Sequence, residues 1–170
     1  VIAADGGYDH LIQIGLRADI ALGDFDSVQA LEIWEDTICE KHTYPPEKDD
    51  TDMMLAIKLG LSKGYHTFEI YGGLGGRLDH SIANIQALSY LAAEGAQGIL
   101  HHDQYVLTVI QNSGFTIPKD FTGYVSVFSL SDTSQNVTIK GLKYEIEGST
   151  LTNQFPLGIS NEATGKKGSI

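Results

Sequence analysis

The spacing of apolar and polar positions changes character once along this chain, near Asp103. Before that point, short apolar runs alternate with segments of helical periodicity. Val1 to Ala4 reads as a strand ending at Asp5-Gly6-Gly7, and Tyr8 to Ile14 as a short helix stopped by Gly15. Asp19 to Leu22 is strand-like and runs into Gly23-Asp24-Phe25-Asp26-Ser27. Ser27 is placed to cap a helix extending through Lys41, with Leu31 and Trp34 on its apolar side. Thr43-Tyr44-Pro45-Pro46 is extended, because proline disfavours helix in the residue before it. Met53, Met54, Ile57 and Leu61 recur at helical spacing after Lys48-Asp49-Asp50-Thr51-Asp52, with Gly64 as the stop. Thr67 to Tyr71 is the next strand. It enters Gly72-Gly73-Leu74-Gly75-Gly76-Arg77-Leu78-Asp79-His80, and a long helix follows with Ile82, Ile85, Leu88 and Leu91 on one side and Gly95 near its end. Ile99-Leu100 opens another strand.

Beyond Asp103 the helical period is lost. Tyr124 to Leu130 alternates small polar with larger residues, as a half-buried strand does, and Val137 to Ile139 and Leu142 to Ile146 read similarly. Ser113-Gly114, Lys119-Asp120, Gly141 and Gly148 punctuate them as turns. The pattern predicts an α/β domain over residues 1–103, with a mostly parallel sheet and helices on both faces, and a smaller all-β domain over residues 104–170. In open α/β sheets ligands bind beyond the carboxyl ends of the strands. The acidic strings and the glycine loop all follow strands, so they are expected to meet at one sheet edge.

Composition narrows the classes. The chain has 170 residues, 42% of them hydrophobic and 19% charged, enough for a packed core and too apolar for a disordered chain. A formal charge of −11 argues against a nucleic-acid surface, which selects Lys and Arg. It suits a cationic substrate, or one that arrives with magnesium. The single cysteine, Cys39, excludes an internal disulfide and a cysteine-based zinc site. With no apolar run of bilayer-crossing length, a cytoplasmic protein without membrane contact is expected. The chain opens at Val1 in mid-strand without Met, which predicts that further residues precede it.

Three strings carry candidate chemistry. Asp24 and Asp26, two residues apart, share a face if the segment is extended, and hard oxygen ligands so placed suit magnesium. A turn followed by a capped helix explains this one string equally well. Asp49 and Asp52 stand three apart, on one face if the helix has begun, but acids at a helix start also complement its dipole. Lys48 is within reach of a phosphate there, and Asp50 points elsewhere. The glycine loop lies between a strand and a helix, the layout of a phosphate cradle: glycines let the backbone approach, and the helix start offers free N–H groups. It lacks the Gly-Lys-Ser/Thr of a Walker A loop and departs from the dinucleotide pattern at Leu78. Arg77 adds a planar donor, and Asp79 is also a candidate helix cap. His101-His102 lacks metal-ligand spacing.

The ordered set of strings resembles the thiamine pyrophosphokinase family over nearly the whole chain. The strings are Ala4 to Gly7, Gly23 to Ser27, Lys48 to Asp52, Gly72 to His80, Gly141 to Tyr144 and Gly158 to Glu162. The resemblance implies an N-terminal α/β domain that binds ATP and a C-terminal β-sandwich that helps bind thiamine. It also implies a magnesium requirement and a homodimer with sites completed across the interface. Asp24, Asp26 and Asp52 match the family's magnesium and catalytic acids, with Asp5 a further acid on the ATP side. Lys48, Asp49 and Thr51, then Gly73, Gly75, Gly76, Arg77, Asp79 and His80, match nucleotide-side motifs, and Ser160 and Asn161 match a thiamine-side turn. The implied reaction moves the diphosphate of ATP to the thiamine hydroxyl. A pterin acceptor, a non-catalytic binding module and a metal-dependent phosphodiesterase are the competing readings. The family's first strand and glycine turn would lie before Val1, and a last strand would continue past Ile170. Some relatives set a Trp of the β domain against the thiamine ring; here the only Trp is Trp34, in the α/β part.

Overall fold

The computed structural model describes residues 1–26, 28 and 40–170. The chain divides into two compact units, Val1–Gln111 and Asn112–Ile170. The expected helix from Ser27, with Leu31 and Trp34, falls mainly outside the described residues, as does Cys39.

In the first unit, β1 (Ile2–Ala4), β2 (Ile20–Gly23) and β3 (Glu40–Thr43) form a parallel ladder in that order. Ala21 and Leu22 are fully buried, as the middle strand of a covered parallel sheet requires. Helix α1 (Gly7–Gln13) follows β1 and buries Tyr8 against Ala3, Ala18, Ala21 and Phe25. β3 corrects the expected helix through Lys41: Glu40 and Lys41 belong to a strand whose residues pair with Ile20 to Gly23. Its sequence, Glu-Lys-His-Thr, carries no apolar alternation, so only the pairing with β2 reveals it.

A second ladder holds β4 (Thr67–Tyr71) parallel to β5 (Gln97–His101), with β6 (Val106–Thr108) antiparallel at its edge. Helices α2 (Asp52–Ser62) and α3 (Leu78–Ala93) pack on each other and supply Ile57, Ala87, Leu88 and Leu91 to a core shared with Ile70 and Leu100. Ile57, Leu88, Leu91 and Leu100 are almost wholly removed from water. Each such side chain stabilises the unit by about 1.5–3 kcal/mol in area terms. The first unit is thus α/β with a mixed strand arrangement.

The second unit is all β. Its strands are β7 (Thr116–Ile117), β8 (Tyr124–Val127), β9 (Thr133–Ile139), β10 (Ile146–Thr152), β11 (Gly158–Glu162) and β12 (Gly168–Ser169). They pair antiparallel as β9 with β10, β8 with β11 and β7 with β12, around Ile117, Ile139 and Leu142. Three expectations need correction. β8 stops at Val127 rather than Leu130. Leu142 to Ile146 is not a strand: Leu142 makes only an isolated bridge to Ala163, and β10 begins at Ile146. Gly158 to Glu162 is a strand rather than a turn; its register shifts between Gly158 and Asn161, and Ser160 has φ of 56°.

Candidate functional site

The parallel ladder sets three acids at the ends of its strands. Asp5 follows β1, and its N–H still donates to the Leu22 carbonyl at 2.8 Å, so the pairing with β2 carries into the site. Gly23 ends β2 with φ of 141°. A Cβ built there would stand 3.2 Å from Asp5 Cβ, so glycine provides both the conformation and the room for Asp5. Beyond it, Phe25 takes φ of 63°. The segment is therefore not extended, and Asp24 and Asp26 do not share a face through strand alternation as the sequence suggested. The left-handed turn at Phe25 brings them together, and the Asp26 N–H donates to Asp24 Oδ1 at 3.3 Å. Holding a non-glycine residue there costs about 1–3 kcal/mol. Burial of the Phe25 ring against Ala21 and Val28, worth about 1.5–3 kcal/mol, offsets it.

Carboxylate oxygens of Asp5, Asp24 and Asp26 lie within 4.8 Å of one another. The cluster repels itself. The Asp24 carboxylate, above all, holds the Asp26 carboxyl above the ordinary carboxylate range, with smaller contributions from partial desolvation, Asp5 and Asp52. Lys48 is the cation set against this field. Its ammonium meets Asp52 Oδ1 at 2.8 Å, and that bond, supported by the charges of Asp24 and Asp5, raises its pKa against partial desolvation. Among the described residues, four carboxylates and Lys48 therefore share a single electrostatic site.

Asp52 opens α2, and Thr51 caps it by accepting the Met54 N–H at 3.2 Å. Asp49 precedes the helix and is exposed, so it shares no helical face with Asp52. Asp50 is engaged elsewhere, taking Lys58 with both oxygens at 2.7 and 2.6 Å.

The glycine loop borders this site. A Cβ on Gly73 would stand 3.4 Å from Met53 Cε, in the first turn of α2, and one on Gly72 would stand 3.9 Å from His10 Cδ2, in α1. Gly73 is buried, whereas Gly75 and Gly76, with φ of 90° and 63°, have open space where a Cβ would be. Arg77, rather than Asp79, is the N-cap residue of α3. Asp79 lies in the first turn, where its carboxylate accepts from Arg77 Nε at 3.1 Å and from Arg77 Nη2 at 2.5 Å. Those bonds, with one from the His80 N–H, hold Asp79 below the ordinary range. Arg77, Asp79 and His80 are all exposed.

In the second unit, Asn161 is buried and its side chain is occupied by backbone. Oδ1 accepts the N–H groups of Tyr144 and Glu162, each at 2.9 Å, and Nδ2 donates to the Tyr144 carbonyl at 2.6 Å. Ser160 is exposed, and its N–H donates to Ser126 Oγ at 3.0 Å. Tyr144 closes the Gly141 to Tyr144 string, and no role follows for it from the sequence. The structure leaves Tyr144 58% exposed beside Asn161, with the Lys143 ammonium 5.4 Å from the ring centre. The signal available in the sequence was an aromatic residue directly after Gly-Leu-Lys.

An α/β unit with acids at parallel strand ends and a glycine loop before a helix, followed by an all-β unit, defines a class of two-part proteins with an acidic strand-end site. Residues 1–100 match the family model "Thiamin pyrophosphokinase, catalytic domain", and residues 114–170 match "Thiamin pyrophosphokinase, vitamin B1 binding domain". The thiamine pyrophosphokinase of Bacillus subtilis is 32% identical over 172 residues, which cover 99% of this chain and 80% of that protein. A crystal structure of thiamine pyrophosphokinase from Bacillus subtilis superposes with a TM-score of 0.87 at 29% identity, covering 99% of this chain and 80% of that one. The Candida albicans thiamin pyrophosphokinase structure shares the fold at 18% identity, with a TM-score of 0.78 over 99% of this chain and 76% of its own. The chain belongs to the thiamin pyrophosphokinase family and is an enzyme. Among the described residues, no helix is long and apolar enough to cross a membrane.

Proposed function

We propose that this chain transfers the diphosphate of ATP to the hydroxyl of thiamine, giving thiamine diphosphate and AMP. The observation that carries the reading is the convergence of Asp5, Asp24 and Asp26 within 4.8 Å in a chain that matches both parts of the family. The donor set fits magnesium: these are hard oxygen ligands, gathered closely enough that Asp24 perturbs Asp26. Asp24 and Asp26, with Asp5, would hold the ion, and Asp52 stands beside them in its pair with Lys48. Bound magnesium supplies neutralisation of the triphosphate charge and polarisation of the phosphoryl oxygens.

The chain's own residues position the reactants. The thiamine hydroxyl attacks the β-phosphorus; the bond from that phosphorus to the α-phosphate oxygen breaks, and AMP leaves. A carboxylate of the cluster accepts the hydroxyl proton. Lys48 and Arg77 are the cations that take phosphate charge, and the loop around Gly73, Gly75 and Gly76, with Asp49, Thr51, Asp79 and His80 about it, holds the nucleotide. The acidic surroundings favour the fixed positive charge of the thiazolium. In the second unit, read as a β-sandwich, Ser160 and Asn161 mark the thiamine side, and Tyr144, pinned by Asn161, offers the ring its aromatic face. The reading includes a homodimer and a cytoplasmic location.

An acceptor comparison tests this. With ATP and magnesium, thiamine is expected to drive AMP release, and a hydroxymethylpterin is not. Equal or greater turnover with the pterin would reassign the acceptor, and ATP left intact with thiamine would leave only a binding module.

A further inference from the structure

We infer that Asn84 is the positioning residue of the glycine loop, setting nucleotide affinity without touching the nucleotide. The inference rests on the reading of that loop as the ATP cradle. Asn84 lies inside α3, and its Nδ2 donates to the Gly73 carbonyl at 2.7 Å in a partly buried setting. The same glycine is wedged in place from other sides. A Cβ on it would stand 2.6 Å from Leu100 Cδ2, 3.4 Å from Asn84 Nδ2 and 3.4 Å from Met53 Cε. Gly73 is therefore clamped by a strand, a helix side chain and the first turn of a second helix, while Gly75 and Gly76 stand open.

The bond controls more than one atom. The peptide after Gly73 is planar and trans, so its carbonyl and the following N–H point to opposite sides. Fixing the Gly73 carbonyl on Asn84 turns the Leu74 N–H away from that side chain. Among the described residues, the N–H groups of Leu74, Gly75 and Gly76 donate to no backbone carbonyl. Successive N–H groups in a turn are the donors from which anion-binding concavities are built. Asn84 holds the first of them in its orientation, and glycines at φ of 90° and 63° would otherwise leave the loop many alternatives. Asn84 reaches this carbonyl from the second turn of α3, which starts directly after the loop.

Two variants of the full chain test the inference. N84L removes the donor at similar size, and N84D replaces it with an acceptor that repels the carbonyl. Loss of one hydrogen bond to a part-buried carbonyl predicts a rise of about ten-fold in KM for ATP in N84L, with KM for thiamine unchanged. In N84D the same rise shrinks as the pH falls and the carboxyl becomes a donor; should N84L fail to fold, this dependence stands alone as the test. Unchanged KM for ATP in either folded variant overturns the inference, even if melting temperature drops, because Asn84 would then be purely structural. Failure of the underlying reading is distinct: wild-type chain that consumes no ATP in the presence of thiamine removes both.

Discussion

Asp24 and Asp26 are separated by a buried aromatic residue in a left-handed turn, and this small departure from extended backbone makes the site. The sequence contained the acids but not the turn, because a phenylalanine at positive φ has no local signature; its conformation follows from the core around Ala21 and Val28 that takes up the ring. Losing a preorganised charge-handling group costs about 100- to 1,000-fold in rate. Asp24→Asn is therefore expected to lose turnover on that scale while keeping a wild-type circular dichroism spectrum. Near-normal turnover would remove Asp24 from the site. Asp26 carries a second expectation. Its raised pKa means that the folded chain binds this proton more tightly than the unfolded chain does. Asp26 thus favours folding below the ordinary carboxylate range, and that favour is lost as the pH rises through the raised value. In chelator, thermal melts between about pH 4 and pH 7 should show a decline for wild type that is smaller in Asp26→Asn. Superimposable curves for the two proteins would contradict the like-charge account.

At the scale of elements, the apolar periodicity announced α2 and α3 because Ile57, Leu88 and Leu91 face a core. β3 announced nothing: a polar strand is defined by hydrogen bonds to β2, and side-chain pattern cannot report those. β11 was legible as a motif but not as a strand, since its register shift and the positive φ at Ser160 break the alternation. The helix opening after Lys48 to Asp52 was legible, but the cap was not singled out: Thr51 accepts the Met54 N–H, a local cause that a capping threonine carries in its own side chain. Thr51→Ala should lower stability by about 1 kcal/mol, read from urea unfolding. An unchanged midpoint would mean that the Met54 N–H finds an equal partner in water. The location of the acids at strand ends was legible for the same reason that β1 and β2 were: short apolar runs must be buried, and their polar continuations then emerge at one end.

Across the whole molecule, two compact units answer to two parts of one family; the change of rhythm near Asp103 told an α/β part from an all-β part, but the first unit runs on through β6 to Gln111, because an edge strand paired to β5 leaves no mark in the apolar pattern. Of a formal charge of −11, the strand-end acids Asp5, Asp24 and Asp26 form one close group, and Lys48 is held by Asp52 beside it. Side-chain geometry was illegible at this scale: nothing in the sequence says that Asn161 spends its amide on Tyr144, or that Asp79 holds Arg77. In the proposed reaction two phosphates move together to thiamine, and a label in each of them follows the transfer. ATP labelled in both its β- and γ-phosphates is incubated with magnesium, thiamine and the protein, and the products are separated. Both labels are expected in thiamine diphosphate, with unlabelled AMP in equal amount. Labelled ADP beside thiamine carrying a single phosphate would contradict this transfer, as would ATP that remains intact.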